Sequence, residues 1–172
     1  MSDFVLSQIF VGFAICSDLI SFQFKKRSWI LCCLLLSCTL ISIHFMLLGH
    51  WTAASLALLA AARFITSLFT TSRFALTFFL LASLSITAFT YEGILSILGV
   101  TGAMFGTTAT FCKDDKRLRE LMMICTSIWM IHNIIANSPG AVFMELIFIS
   151  SNIIGYFRYY IRPARQAFSS VE

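Results

Sequence analysis

Charged side chains are scarce. Asp, Glu, Lys and Arg make up 12% of the 172 residues, whereas 59% are hydrophobic. Ordinary globular domains carry about twice that charge, so lipid is the expected solvent for most of the chain. Proline is limited to Pro139 and Pro163. Both punctuate: Ser138-Pro139 reads as an N-cap with a first-turn proline, and Pro163 falls just past the last apolar run. Enzymatic signatures are missing. There is no GxSxG, no HExxH, no phosphate-cradling GxxxxGK[ST], and no pair of aspartates suited to intramembrane proteolysis, so no enzyme is expected. The six cysteines, Cys16, Cys32, Cys33, Cys38, Cys112 and Cys125, lie in or at the ends of apolar runs, and none is placed for a disulfide framework or a CxxC site. No Cys joins His44, His50 and His132 either, so metal transport is disfavoured and no metal or cofactor is expected.

What is present is a series of apolar runs, at 4–24, 29–48, 52–69, 74–90, 93–112, 120–137 and 139–161. Each approaches the roughly 20 residues that one crossing needs, which gives an all-α membrane protein with seven transmembrane helices and no room for a soluble domain. Strands are excluded by run length and by the lack of alternation. The first run carries Asp3 where a leader peptide would carry basic residues, and it is expected to remain as the first helix. Alternate breaks are basic: Lys25, Lys26, Arg27, Arg73, Lys113, Lys116, Arg117, Arg119, Arg158, Arg162 and Arg165 fall on one side. The other side has neither Lys nor Arg. The positive-inside rule then sets the N-terminus in the periplasm and the C-terminus in the cytoplasm. The net charge of +4 reflects this topology and not a nucleic-acid partner. Trp29, Trp51, Tyr91, Tyr159 and Tyr160 sit near run ends, as headgroup anchors do.

Sliding the chain against itself by 88 residues superposes Lys25-Lys26-Arg27 on Lys113-Asp114-Asp115 and His44 on His132. Helices 1 to 3 (residues 1–73) thereby match helices 5 to 7 (residues 92–172), and the helix at 74–91 links them. An odd linker makes the repeats run parallel.

This 3+1+3 parallel-repeat plan resembles the SWEET and SemiSWEET sugar facilitators. The spacing of Trp129, His132, Asn137, Ser138 and Glu145 is similar to that family's pattern at the turn between its second and third helices. Glu145 stands where the family carries its pocket asparagine, Ala57 stands at the equivalent place in the first repeat, and the Pro-Gln signature is missing. A closer resemblance, across almost the whole chain, is to the YgjV family of bacterial inner-membrane proteins. It rests on His44-Phe45-Met46-Leu47-Leu48-Gly49, on Arg63, and on Trp129-Met130-Ile131-His132-Asn133 with Glu145 beyond. That resemblance implies a bacterial inner membrane and leaves the solute open.

Ionisable residues inside the runs cost about 2.5–3.5 kcal/mol each on insertion scales, so each needs a partner or water. Asp18 in helix 1 and Arg63 in helix 3 fall at similar depth in the inner half. They read as an intramembrane ion pair, either a structural pin or part of a gate. In the outer half, His132 and Glu145 can meet across the Asn137-Ser138-Pro139 turn, with His44 at the symmetry-related place. Together they hold the elements of a proton relay; singly, each histidine is equally a hydrogen-bonding tie between helices. Asn133 and Asn152 are either pocket amides or interhelical bonds. Gly102 and Gly106 form a GxxxG, expected to bring another helix close. The resulting expectation is an inner-membrane protein that binds or translocates a small polar solute between its two repeats, with a proton link. The alternative is a non-transporting protein whose buried polar residues only lock helices together. Lipid is the expected surroundings of either, and both are compatible with a homo-oligomer.

Overall fold

The computed structural model describes residues 2–21, 27–112 and 114–161. Over these the chain forms seven α-helices: α1 Asp3–Ser21, α2 Arg27–Leu47, α3 Trp51–Phe69, α4 Arg73–Phe89, α5 Ile94–Thr110, α6 Asp115–Ile135 and α7 Pro139–Tyr156. A π-helical turn, Phe157–Ile161, extends the last of them. No strand occurs among the described residues. Asp3–Ile20, Trp51–Phe69 and Pro139–Ile161 are long and apolar enough to cross a membrane, and Cys32–Leu47, Arg73–Phe89 and Ile94–Thr110 are shorter apolar helices. Helices suit such a solvent because each satisfies its own backbone N–H and C=O groups without water.

The helices follow the apolar runs closely, with instructive exceptions. The sequence places the start of the sixth helix at 120, but α6 begins at Asp115. The Asp114 carboxylate accepts the Arg117 N–H at 3.0 Å and caps the helix, so the basic stretch becomes its first turns. The same bond holds the Asp114 carboxyl below its ordinary range. Pro139 occupies the first turn of α7 as expected, yet Ser138 makes no side-chain cap. Its hydroxyl is drawn instead to His44 Nε2 at 2.9 Å. Residues 22–24 of the first run, Lys25, Lys26, Lys113, Arg162, Pro163 and Arg165 lie outside the described residues. Every described Lys and Arg except Arg63 lies at the end of the bundle where α6 begins.

Neighbouring helices pack in two sets, α1 on α2 on α3 and α5 on α6 on α7. The sets meet along two seams, α3 against α5 and α1 against α7, while α4 packs on the outside of α3 and α5. Small side chains make this possible. Ala53, Ala54 and Ala57 of α3 are buried against Phe45 of α2, Val11 and Ala14 of α1, and Met144 of α7. Large apolar side chains turn outward, as Phe74 and Phe89 do. Of the Phe78-Phe79 pair, the first is exposed and the second is buried, stacked on Phe111. The α5 glycines serve close approach: a Cβ on Gly102 would lie 2.8 Å from Trp129 Nε1, and one on Gly106 3.1 Å from Cys125 Sγ.

Helices α2 and α6 end alike. The Gly49 N–H reaches the Met46 carbonyl and the His50 N–H the Phe45 carbonyl; likewise Asn137 reaches Ile134, and Ser138 reaches Asn133. Gly49 (φ 77°) and Asn137 (φ 52°) take the left-handed conformation that closes such a turn. The starts of α2 and α6, the two left-handed residues, and the starts of α3 and α7 are each 88 residues apart.

Gly102→Ala is expected to lower stability by about 1–3 kcal/mol, because a rigid indole must be displaced. Gly12→Ala, where nothing lies within 4 Å, should change it little. Thermal unfolding of the two variants in detergent checks the contrast.

Candidate functional site

Polar side chains gather in two layers of the bundle interior. The first lies where α2 turns into α3 and α6 into α7. His44, fully buried, donates from Nδ1 to the Ser7 carbonyl of α1 at 3.0 Å, and its Nε2 accepts the Ser138 hydroxyl. A carbonyl can only accept, so this pattern fits a neutral ring with its proton on Nδ1. The ring therefore joins α1 and α2 to the head of α7. Beside it, the Gly140 N–H donates to Gln8 Oε1 at 3.0 Å, a second tie between α1 and α7.

His132 and Asn133 are also fully buried, and His132 Nδ1 bonds Asn133 Oδ1 at 3.1 Å. The two predicted histidines do not meet. Phe45 packs edge-on to both, with ring centroids 4.9 Å from His44 and 5.5 Å from His132. The histidine that does approach His132 is His50, at 6.3 Å between rings. Across the seam, Glu92 faces His50 at 3.8 Å and accepts the Trp51 N–H at 2.7 Å, capping α3 with a carboxylate where the helix dipole favours one. Thr52, Thr90 and Ser96 complete a hydroxyl cluster there, with Thr52 Oγ1 also donating to the Thr90 carbonyl.

The second layer lies deeper and holds the charges. Asp18 accepts the Ser37 hydroxyl at 2.9 Å and lines a small open hollow between α1 and α7, with Met144, Ile147 and Phe148. Arg63 reaches from α3 to α5, where Nη1 donates to Thr107 Oγ1 at 2.6 Å. No ion pair joins Asp18 to Arg63 among the contacts of the described residues. The reason is the packing order: α1 and α3 flank α2, so the two residues occupy opposite seams although their depths match. Cys38 on α2 is within electrostatic reach of both.

Glu145 is 8% exposed, and its carboxylate forms no hydrogen bond with another described residue. It lies within electrostatic reach of Asp18 and Cys125, not against His132 as depth alone suggests. Six residues into α7, about 9 Å from its start, Glu145 lies deeper than His132, which is three residues from the end of α6, and so belongs to the second layer. Asn152 stands apart from both layers, at the basic end, where it accepts from Arg119 Nη1 at 3.4 Å and donates to the Arg119 carbonyl at 3.0 Å. It ties α7 to α6.

The sequence from residue 5 to 162, which holds both layers, matches the family model of the bacterial inner membrane protein YgjV. The chain belongs to this family. It is 31% identical over 120 residues to the inner membrane protein YgjV of Escherichia coli (strain K12), a match covering 70% of this chain and 66%, just under two thirds, of that relative. No solved structure matches the chain. Membership of the YgjV family makes it a protein of the bacterial inner membrane.

Sequence reasoning weighed His50 only as a metal ligand and overlooked Glu92 and Thr107. His50 and Glu92 lie in polar breaks, where they look like solvated loop residues, yet Glu92 shares its break with no Lys or Arg, and that was the available signal. Thr107 gave none, because hydroxyls in apolar helices usually bond their own backbone, as Thr108 and Thr110 do.

His44→Ala removes two buried bonds that join three helices and should cost about 1–3 kcal/mol. Ser138→Ala removes one of them and should cost less. The order of the two melting temperatures in detergent is the check, and a Ser138 variant as unstable as the His44 variant contradicts the assignment.

Proposed function

We propose that the chain carries a small polar solute across the bacterial inner membrane, with a proton link, along the interface between α1–α3 and α5–α7. In this reading it is a non-enzymatic carrier with seven crossings, surrounded by lipid, in a SWEET-like 3+1+3 plan of parallel repeats. The N-terminus is periplasmic and the C-terminus cytoplasmic. Several observations support the plan. Matched helix starts and matched turns recur at 88 residues, and the two seams, α3 with α5 and α7 with α1, are the pair that a two-fold between such repeats would generate. The confinement of described Lys and Arg to one end, Arg63 excepted, supports the orientation.

The observation that carries the transport reading is how the deep charges are satisfied. A lock would pair Asp18 with Arg63. Instead, Arg63 takes a hydroxyl of α5, and Glu145 takes no hydrogen bond from a described residue. An intramembrane cation held by a neutral hydroxyl, and a carboxylate without a described donor, are costly as packing at the meeting of two halves and suited to a path. The conformation described is closed, with His44–Ser138 and His50–His132 meeting across the halves at the outer end. His44, bonded through both ring nitrogens, and the Gln8–Gly140 tie favour the alternative of a helix-locking protein.

Proteoliposomes loaded with a pH-reporting dye and challenged with small sugars, amino acids and organic acids provide the test. At least one solute should shift the lumenal pH with the native chain. Glu145→Gln should abolish that response and leave the melting temperature nearly unchanged. A Glu145→Gln protein that transports normally removes the proton link, and one that unfolds supports the locking alternative.

A further inference from the structure

Arg63 is the one cation in the interior of the described bundle, and it has no carboxylate partner there. It is 7% exposed and sits at the α3–α5 seam. Its guanidinium is used on one edge only. Nη1 is held by Thr107 Oγ1, Nε has no hydrogen-bond partner, and Nη2 makes no hydrogen bond to a described residue. Nε and Nη2 together form the side edge of the fork, the edge that binds a carboxylate through two parallel bonds.

The guanidinium lies against the backbone of α5. Gly106 has no side chain, so nothing of α5 projects between backbone and guanidinium; a Cβ there would lie 3.8 Å from Nη2 and 3.9 Å from Nη1. The opposite wall is Cys125 Sγ, 3.1 Å from the same point. The space over Gly106 is therefore closed in this conformation, and a guest reaches the guanidinium only when α3 and α5 part. Phe64 lies against the guanidinium at 5.3 Å, which helps to fix its plane.

We propose that the Nε–Nη2 edge of Arg63 binds the carboxylate of a small polar solute at the α3–α5 seam, with Thr107 holding the fork in register. This rests on the carrier reading above and adds the chemical class of the cargo. Thr107 acts as a positioning residue. The titratable side chains nearest the bound carboxylate are Cys38 of α2 and Cys125 of α6, with Glu145 of α7 within reach of Cys125.

The test is thermal unfolding of the purified full chain in detergent. The probes are acetate, lactate and succinate, their amides acetamide, lactamide and succinamide, and inorganic phosphate, all at matched ionic strength. At least one carboxylate should raise the melting temperature saturably, and its amide should not. Arg63→Lys keeps the charge and loses the fork, so the apparent affinity should fall about tenfold or more. Arg63→Met should abolish the response and leave the empty protein as stable or more so, because an unneutralised buried charge is removed. The proposal is overturned if no carboxylate stabilises the native chain, if amides or phosphate act equally, if Arg63→Met keeps the response, or if that variant fails to fold, which would mark Arg63 as an internal tie. Flux of neutral solutes without carboxylate binding sinks this inference and leaves the carrier reading standing. Carboxylate binding without flux of any solute does the reverse.

Discussion

A polar side chain inside a lipid-filled setting has no water to fall back on, so its partner must come from the chain itself. Most hydroxyls here solve the problem locally. Thr39, Thr66, Thr87, Thr101 and Ser127 each bond the carbonyl one turn back and add nothing to tertiary structure. A smaller group reaches outward. Ser17 donates to the Cys33 carbonyl and Ser42 to the Ala54 carbonyl, which fasten α1 to α2 and α2 to α3 at fixed heights. Because dispersion between apolar helices has little directional preference, these few bonds decide the register in which the alanine faces of α3 are packed.

The same constraint ranks the two polar layers. In the outer one, nearly every group has a neutral partner, and Glu92 is placed on a helix N-terminus that welcomes its charge. In the deeper one, Arg63 has a single threonine hydroxyl and Glu145 has no hydrogen-bond partner among the described residues. The first layer is an arrangement of ties that holds the two helix sets together at one end. The second is where free energy is left unspent on stability, and function is the usual reason.

How much of this was legible in the sequence varied with the kind of information required. Helix existence and most boundaries followed from apolar runs, since run length and span thickness are both one-dimensional. The turn at Asn137-Ser138-Pro139 was read correctly, but the destination of the Ser138 hydroxyl was not, because a cap and an interhelical bond need the same residue. Pairing Asp18 with Arg63 failed for a different reason. Depth is readable along a chain, whereas the order of helices around a bundle is not, and α2 stands between the two. The placing of Glu145 beside His132 counted turns from the Asn137-Ser138-Pro139 break, and turns give depth without saying which neighbour a side chain faces; Glu145 faces Asp18 and Cys125.

The left-handed residue at Gly49 has a wider consequence. One residue of α-helix corresponds to about 100° of rotation about its axis. The span between Leu47 and Trp51 therefore acts as an index: lengthening or shortening it by a single residue would swing Ala53, Ala54 and Ala57 off the centre of the bundle and carry Arg63 away from Gly106. Which face of α3 meets its neighbours is thus decided by the number of residues in a turn that touches neither Arg63 nor Gly106.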